Sequence, residues 1–482
     1  MATEETSQTE ETSQQHTLRK GVLRIGDAIA QSVALLALVM GVALSTSLAA
    51  GPAGSAVPLA YIIAALGSLC LAYVIIRFTR RMASAGGIYT YVAQGLGPQA
   101  GFVGGWMYAS AFAFGISFTL AIASEYLSQL LSNFQISVHW LIIFCILLIV
   151  LFLFAFFDIR ISTRTQLVLA ALGVVLVLVL AAIILVKGGD SGVSLIPFSF
   201  GALPEGLPGL FSAAIFSFTS FIGFEAAAVL GEETTNPRKA IPRAILAAVI
   251  VGAVFYILTT YAMSIGYGAA HAGAWAKDQS PLDTLANRYA NSILAAVIDL
   301  MVAFTAFIAS LAGLNLSSRM LYAMGRDGGL PRVFGITHPR YHSPWVGILV
   351  PLGITLILVL GLVLGAKLDA FGIFGFMATT ASLGILLAYI LVAVSGIFFF
   401  LRSRKEGDHI IMLVLDVLLP LIAIVLCGAT IYSTITAPAP PPINYAPYIA
   451  LAWLVVGIVL AVVLSLVRAE RVRQFGQILG EG

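Results

Sequence analysis

The stretch FTSFIGFEAAAVLGEE, Phe218–Glu233, brings hydroxyls, a glycine and an acid together inside an otherwise apolar run. Ser220, Gly223 and Glu225 lie within two helical turns of one another, and Phe221 and Phe224 sit between them. A carboxylate in that setting can receive a cation or an ammonium group, carry a proton, or hold backbone groups released by an interrupted helix. Hydrolytic or redox chemistry would need companions that the chain does not supply. There is no GxxxxGK[ST] phosphate loop, and the six His are scattered without Cys or acids at metal-ligand spacing. His338 and His342 share a loop with Pro and Arg and no further ligands. We therefore expect no catalytic residues, metal or cofactor, and no enzyme.

A second stretch, LALVMGVALSTSLAAG, Leu36–Gly51, has the same character: Gly41 in an apolar run, followed by Ser45, Thr46 and Ser47. Two readings are open for each glycine. Small residues let helices pack closely in membranes, and they also mark helices that unwind. The two stretches fall in the first and sixth of the apolar runs, five apart, which favours unwinding at Gly41 and Gly223. Paired broken helices of inverted repeats form midplane sites, where freed amides and carbonyls receive a solute.

The elements that must position these residues follow from composition. Of 482 residues, 60% are hydrophobic and 10% charged, with a mean hydropathy of +1.01, too apolar for a chain surrounded by water. Runs long enough to span a bilayer occur twelve times, at about 27–50, 56–77, 99–131, 139–157, 164–186, 209–230, 241–266, 291–316, 345–366, 370–401, 411–435 and 446–467. With the N-terminus inside, 21 of the 25 Lys and Arg fall in cytoplasmic segments; Lys187, Lys277, Arg288 and Lys367 are the exceptions. A miscounted span would destroy that asymmetry, so both termini are expected in the cytoplasm. The net charge of +3 reflects this bias, and no nucleic-acid partner is expected. Residues 1–20, rich in Glu, Thr, Ser and Gln, are expected to be a disordered tail. Cys70, Cys145 and Cys427 all fall in spans, which argues against a disulfide framework.

Phe216–Ile245, FSFTSFIGFEAAAVLGEETTNPRKAIPRAI, resembles the most recognisable segment of the amino acid–polyamine–organocation superfamily. Arg80–Trp106 is similar to that family's junction of spans two and three, and Asn315–Pro331 to its loop after span eight. The likeness runs from about residue 21 to 435. It implies an all-α membrane protein of twelve helices with a LeuT-type fold. Residues 21–190 and 191–402 would then be inverted repeats of five spans, 403–468 two peripheral helices, and 469–482 a second tail. It further implies a plasma-membrane permease working by alternating access. Ala37, Val39, Met40 and Gly41 would face Ser220, Phe221, Gly223 and Phe224 around the substrate, with the Phe221 ring as a cap. Glu225 and Ser310 would serve gating or coupling. For Glu225 the alternative is a structural carboxylate, and for Ser310 a hydroxyl bonded to its own helix. Ser84–Gly87 would form a cytoplasmic gate element, and Pro242 would occupy the first turn of span seven.

The chain departs from the family in two places. The Gly-small-Gly triplet of span one is reduced to Gly41, flanked by Met40, and span five lacks the Lys that some members use for proton coupling. A proton, a sodium ion or a counter-substrate all remain open as the driving partner. Glu125 and Asp299 lie toward the outer ends of spans three and eight, away from the breaks; Asp299 is expected to snorkel or pair with Arg288. A neutral, largely apolar amino acid is therefore the preferred substrate. An amine, polyamine or other organic cation, or a transporter-like sensor, is the alternative.

Overall fold

The computed structural model describes residues 23–82, 86–157, 163–231, 234–341, 343–403, 410–437, 439 and 441–467. Both tails, Ser84 and Ala85 of the candidate gate, Glu232, Glu233 and His342 lie outside the described residues. The described chain is helical, because lipid offers no partner for an open peptide group and each span must bond within itself. Among the described residues, eleven stretches are long and apolar enough to cross a membrane, and a further helix, Trp140–Phe156, has 17 residues.

Span one runs as three pieces, Ile25–Leu36, Leu38–Ala43 and Ser45–Ala53. Span two is Val57–Thr79, and a short helix, Ile88–Leu96, leads into span three, Pro98–Asn133. Spans four and five are Trp140–Phe156 and Thr163–Val186. Span six is the helix Gly206–Phe221 followed by a 3-10 turn, Ala226–Leu230. Spans seven to twelve are Pro237–Tyr267, Ser292–Arg326, Trp345–Ala366, Ala370–Arg402, Ile410–Thr436 and Ala446–Val467. Two short helices, Ala272–Trp275 and Pro281–Tyr289, fold over the bundle between spans seven and eight.

Span three packs along spans eight and ten, and span two along span seven. Spans eleven and twelve sit at the edge and show lipid-type side chains such as Val425, Leu451 and Leu466 outward. Span eleven is tied in by Asp416, which accepts from Arg77 Nη2 and Tyr73 Oη of span two, both at 2.7 Å. The three cysteines are free thiols.

Three local expectations are corrected. Gly41 does not interrupt its helix: it lies inside Leu38–Ala43 and donates to Ala37 O at 2.8 Å. The interruptions fall at Ala37, in the left-handed conformation (φ 44°, ψ 52°), and at Leu44 (φ −126°). Span seven starts at Pro237, so Pro242 lies within the helix rather than in its first turn. Arg288 does not pair with Asp299; it reaches Asp190 of the span five–six connection, as does His271 Nδ1 at 3.2 Å. That connection folds back against Ile265, with Asp190 N donating to Ile265 O, which brings Asp190 within reach of Arg288. The Arg288 guanidinium beside it holds the Asp190 carboxyl below the usual carboxylate range.

Candidate solute site between the two broken spans

Span six ends its helix at Phe221 because Ile222 turns extended (ψ 128°) and Gly223 takes φ 103°, a backbone region open to glycine. A Cβ on Gly223 would run into the Leu35 side chain of span one. The two breaks thus press against each other, and both required glycines mark close approach. A Cβ on Gly41 would sit 2.8 Å from Tyr256 Oη.

An unwound span leaves carbonyls without helical donors, which is costly away from water. Tyrosines from the neighbouring spans meet that need. Tyr256 Oη of span seven lies 2.9 Å from Leu36 O and 2.8 Å from Ser220 O, so one phenol proton is shared between the two breaks. Tyr61 Oη of span two lies 3.2 Å from Gly41 O and 3.0 Å from Ser220 Oγ. The two rings sit 5.4 Å apart. Ser32 Oγ accepts from Ala227 N at 3.1 Å, capping the 3-10 turn of span six from span one.

Beside this seam lies a small cavity walled by both broken spans and by spans three and eight. Of the expected binding residues, Ala37, Met40, Gly41 and Ser220 line it. Leu35, Phe112, Ile116 and Ala309 supply apolar wall, Ser45, Thr119 and Thr219 supply hydroxyls, and no acid or base is among the lining residues. The left-handed Ala37 begins a new helix there, whose first amides have no acceptor within it.

The other expected residues stand outside the wall. Val39 packs toward Gly173 of span five, and Phe221 sits edge-on to Tyr256 with ring centres 5.2 Å apart. Gly223 and Phe224 are buried in the seam, with Phe224 against Tyr389. Ser310 Oγ bonds to its own helix at Ala306 O (2.9 Å) and also meets the lining residue Thr119 at 2.7 Å. Glu225 is fully buried behind the cavity. Its Oε1 accepts from Tyr108 of span three (2.9 Å) and Tyr389 of span ten (2.8 Å), while Oε2 has no hydrogen-bond partner among the described residues. One carboxylate oxygen therefore ties the broken span to two long, continuous ones.

Sequence reasoning missed Tyr61, Tyr256, Tyr108 and Tyr389. Their signal was faint, a polar tip on an otherwise apolar span, shared with other members of the sixteen-tyrosine set.

Comparison with known proteins gives the family and the fold. The amino acid permease family matches residues 30–461. The chain is 28% identical to a branched-chain amino acid permease of Lactococcus lactis, over 77% of this chain and 82% of that one. It is 27% identical to a low-affinity putrescine importer of Escherichia coli, over 66% and 70%. In fold it is similar to a manganese transporter of Eremococcus coleocola, with a TM-score of 0.54 over 94% of this chain and 95% of that one, at 13% identity. The chain is an all-α, multi-pass membrane protein of LeuT-type fold that handles a small-molecule substrate, and it belongs to the amino acid permease family.

Proposed function

We propose that the protein is a secondary active transporter, not an enzyme, that moves neutral, largely apolar amino acids across the plasma membrane by alternating access. The observation that carries this is the cavity between the two breaks. Its wall is apolar, its polar groups are hydroxyls and unwound backbone, and it has no charged side chain. A zwitterion offers such a wall no net charge, and backbone groups can meet both its ends. A polyamine would bring two or more positive charges to a wall with no carboxylate, an arrangement whose desolvation goes uncompensated. The similarity to a branched-chain permease supports the same choice.

In this reading residues 21–190 and 191–402 are the two inverted repeats, 403–468 a peripheral pair, and both tails, 1–20 and 469–482, are cytoplasmic. Ala37, Val39, Met40, Gly41, Ser220, Phe221, Gly223 and Phe224 form the substrate region. Met40, Gly41 and Ser220 touch the solute, and Phe221 and Gly223 shape the break. Glu225 switches or holds the broken span, and Ser310 supports Thr119. The driving partner is a proton, a sodium ion or a counter-substrate.

Uptake of labelled leucine into proteoliposomes, with competitors, tests the proposal. Isoleucine, valine and other neutral amino acids should compete strongly, and putrescine and lysine weakly. Competition by putrescine stronger than by isoleucine would overturn the substrate class. Ligand-dependent melting in the same series checks binding without transport.

A further inference from the structure

We propose that Asp283 and Asp299 form a proton-held latch that closes the helix Pro281–Tyr289 over the outer end of the solute site. The inference rests on the orientation given above, which places this helix outside the cell. The helix packs on span eight, on span five and on Leu38–Ala43, the outer continuation of the break in span one. Its buried Leu285 fills the space beside Gly266 of span seven and Ile184 of span five. In the proposed latch, outward access to the cavity requires this helix to move.

Asp299, on span eight, is 5% exposed and turns a carboxylate to that helix, and its Oδ1 has no hydrogen-bond partner among the described residues. The Asp283 carboxyl of that helix lies beside it. Two carboxyls can bond to each other only if one of them carries a proton, since an ionised carboxylate accepts and does not donate. The surroundings favour that proton. Tyr126 of span three faces the pair, and Asp278 adds a third negative group nearby. Asp278 has donors of its own in Tyr267 Oη (2.7 Å) and the backbone N of Ser280 (2.8 Å). Two cations of this region are engaged elsewhere, Arg288 with Asp190 and Lys187 with Tyr289 O at 2.6 Å, and Lys277 is the chain neighbour of Asp278. Asn287 donates to Asp283 Oδ2 at 3.1 Å and adds no charge.

Burial raises Asp283 above the ordinary carboxyl range. The closed helix then holds more protons than the open one. Closure is fully supported below the ordinary value, about pH 3.9, and weakens as pH rises through the raised one. Loss of the proton leaves two adjacent anions, which repel and release the helix.

The test reads opening directly. In the full-length protein, Ala286→Cys places a thiol at a fully buried position on the inner side of this helix. Gly273→Cys, where a side chain meets nothing within 4 Å, serves as an always-open reference. A membrane-impermeant maleimide is applied to intact cells, and the rate at position 286 is divided by the rate at 273. Labelling at 273 establishes the orientation independently, so its failure condemns that reading and not the latch alone. The normalised rate should rise several-fold from acid to alkaline pH. In Asp299→Asn and Asp283→Asn, whose amides donate without a titrating proton, it should stay low at every pH. A normalised rate that is flat in the parent, or that keeps its pH dependence in either Asn variant, overturns the latch. So does a rate that follows sodium at fixed pH, because the pair would then hold a metal cation. If Asp299→Asn is not recovered in the membrane, the half-exposed Asp283→Asn carries the test.

Discussion

The break in span six and the break in span one perform one task by different means. Span six breaks where its own residues permit: Gly223 accepts φ 103° without a side chain to strain, and Glu225 follows to anchor the loosened backbone to Tyr108 and Tyr389. Span one breaks at an alanine, in a left-handed conformation that an L-residue with a Cβ adopts at a cost. Its support comes from outside, from Tyr256 on Leu36 O and Tyr61 on Gly41 O. The one break is permitted by its own glycine, though Tyr256 also holds Ser220 O, and the other rests on its neighbours alone. A substitution in span six should therefore act through the residue itself, and one in span one through its supports.

The largest effect should come from Gly223→Leu. A side chain there carries the left-handed penalty of about 1–2 kcal/mol and overpacks Leu35 for about 1–3 more. About 3 kcal/mol corresponds to roughly a hundredfold loss of uptake, in protein that still reaches the membrane. Wild-type uptake by a well-expressed variant would refute the local encoding of this break.

Tyr256→Phe tests the imposed break. Removing one hydroxyl takes the donor from Leu36 O and Ser220 O together, at about 1–3 kcal/mol for each carbonyl left without a partner. We expect uptake to fall about tenfold and the melting temperature to fall with it. Tyr61→Phe should be milder, because Ser220 Oγ still reaches Gly41 O at 3.2 Å. Equal effects of the two would mean that the breaks are not bridged through Tyr256.

The sequence discloses what lipid enforces. Each span needs a long apolar run whatever it packs against, and so the twelve runs appear with ends within several residues of the helices found, except that span eight continues well past its run, to Arg326. Gly223 and Glu225 were legible for the same reason, since a gap and a charge are expensive in that medium and stand out. Ala37 carries no such mark; its conformation depends on a phenol that is 219 positions away in the chain. The partner of Arg288 was misjudged on similar grounds. Asp299 is the acid closer in sequence, but the fold of the span five–six connection delivers Asp190 to Arg288.

Glu225→Gln asks whether the anchor of span six is also a switch. The amide oxygen can still accept from Tyr108 and Tyr389, so folding and uptake at neutral pH should stay within about twofold. The amide cannot take up a proton. Uptake measured over roughly pH 5–8, the physiological window, should lose whatever part of its pH dependence Glu225 supplies, and we expect a flatter profile than in the parent. An unchanged profile would leave Glu225 as an anchor alone.

The smallest effect, and the sharpest contrast, comes from exchanging single methyl groups between the breaks. Ala37→Gly relieves a strained left-handed alanine, worth about 1–2 kcal/mol. Against this stand the lost burial of one methyl, about 0.8 kcal/mol, and the greater freedom of the unfolded chain, about 0.4–1 kcal/mol. The terms nearly cancel, so melting temperature and uptake should remain close to the parent. Gly223→Ala adds the same methyl at the other break, where it meets the Leu35 side chain and the backbone penalty together. Its loss of stability should exceed that of Ala37→Gly by more than about 1 kcal/mol. Thermal melting of the two purified variants in one detergent decides the matter. Equal destabilisation would mean that Ala37 is held by its own packing, and that the tyrosines decorate a break they do not create.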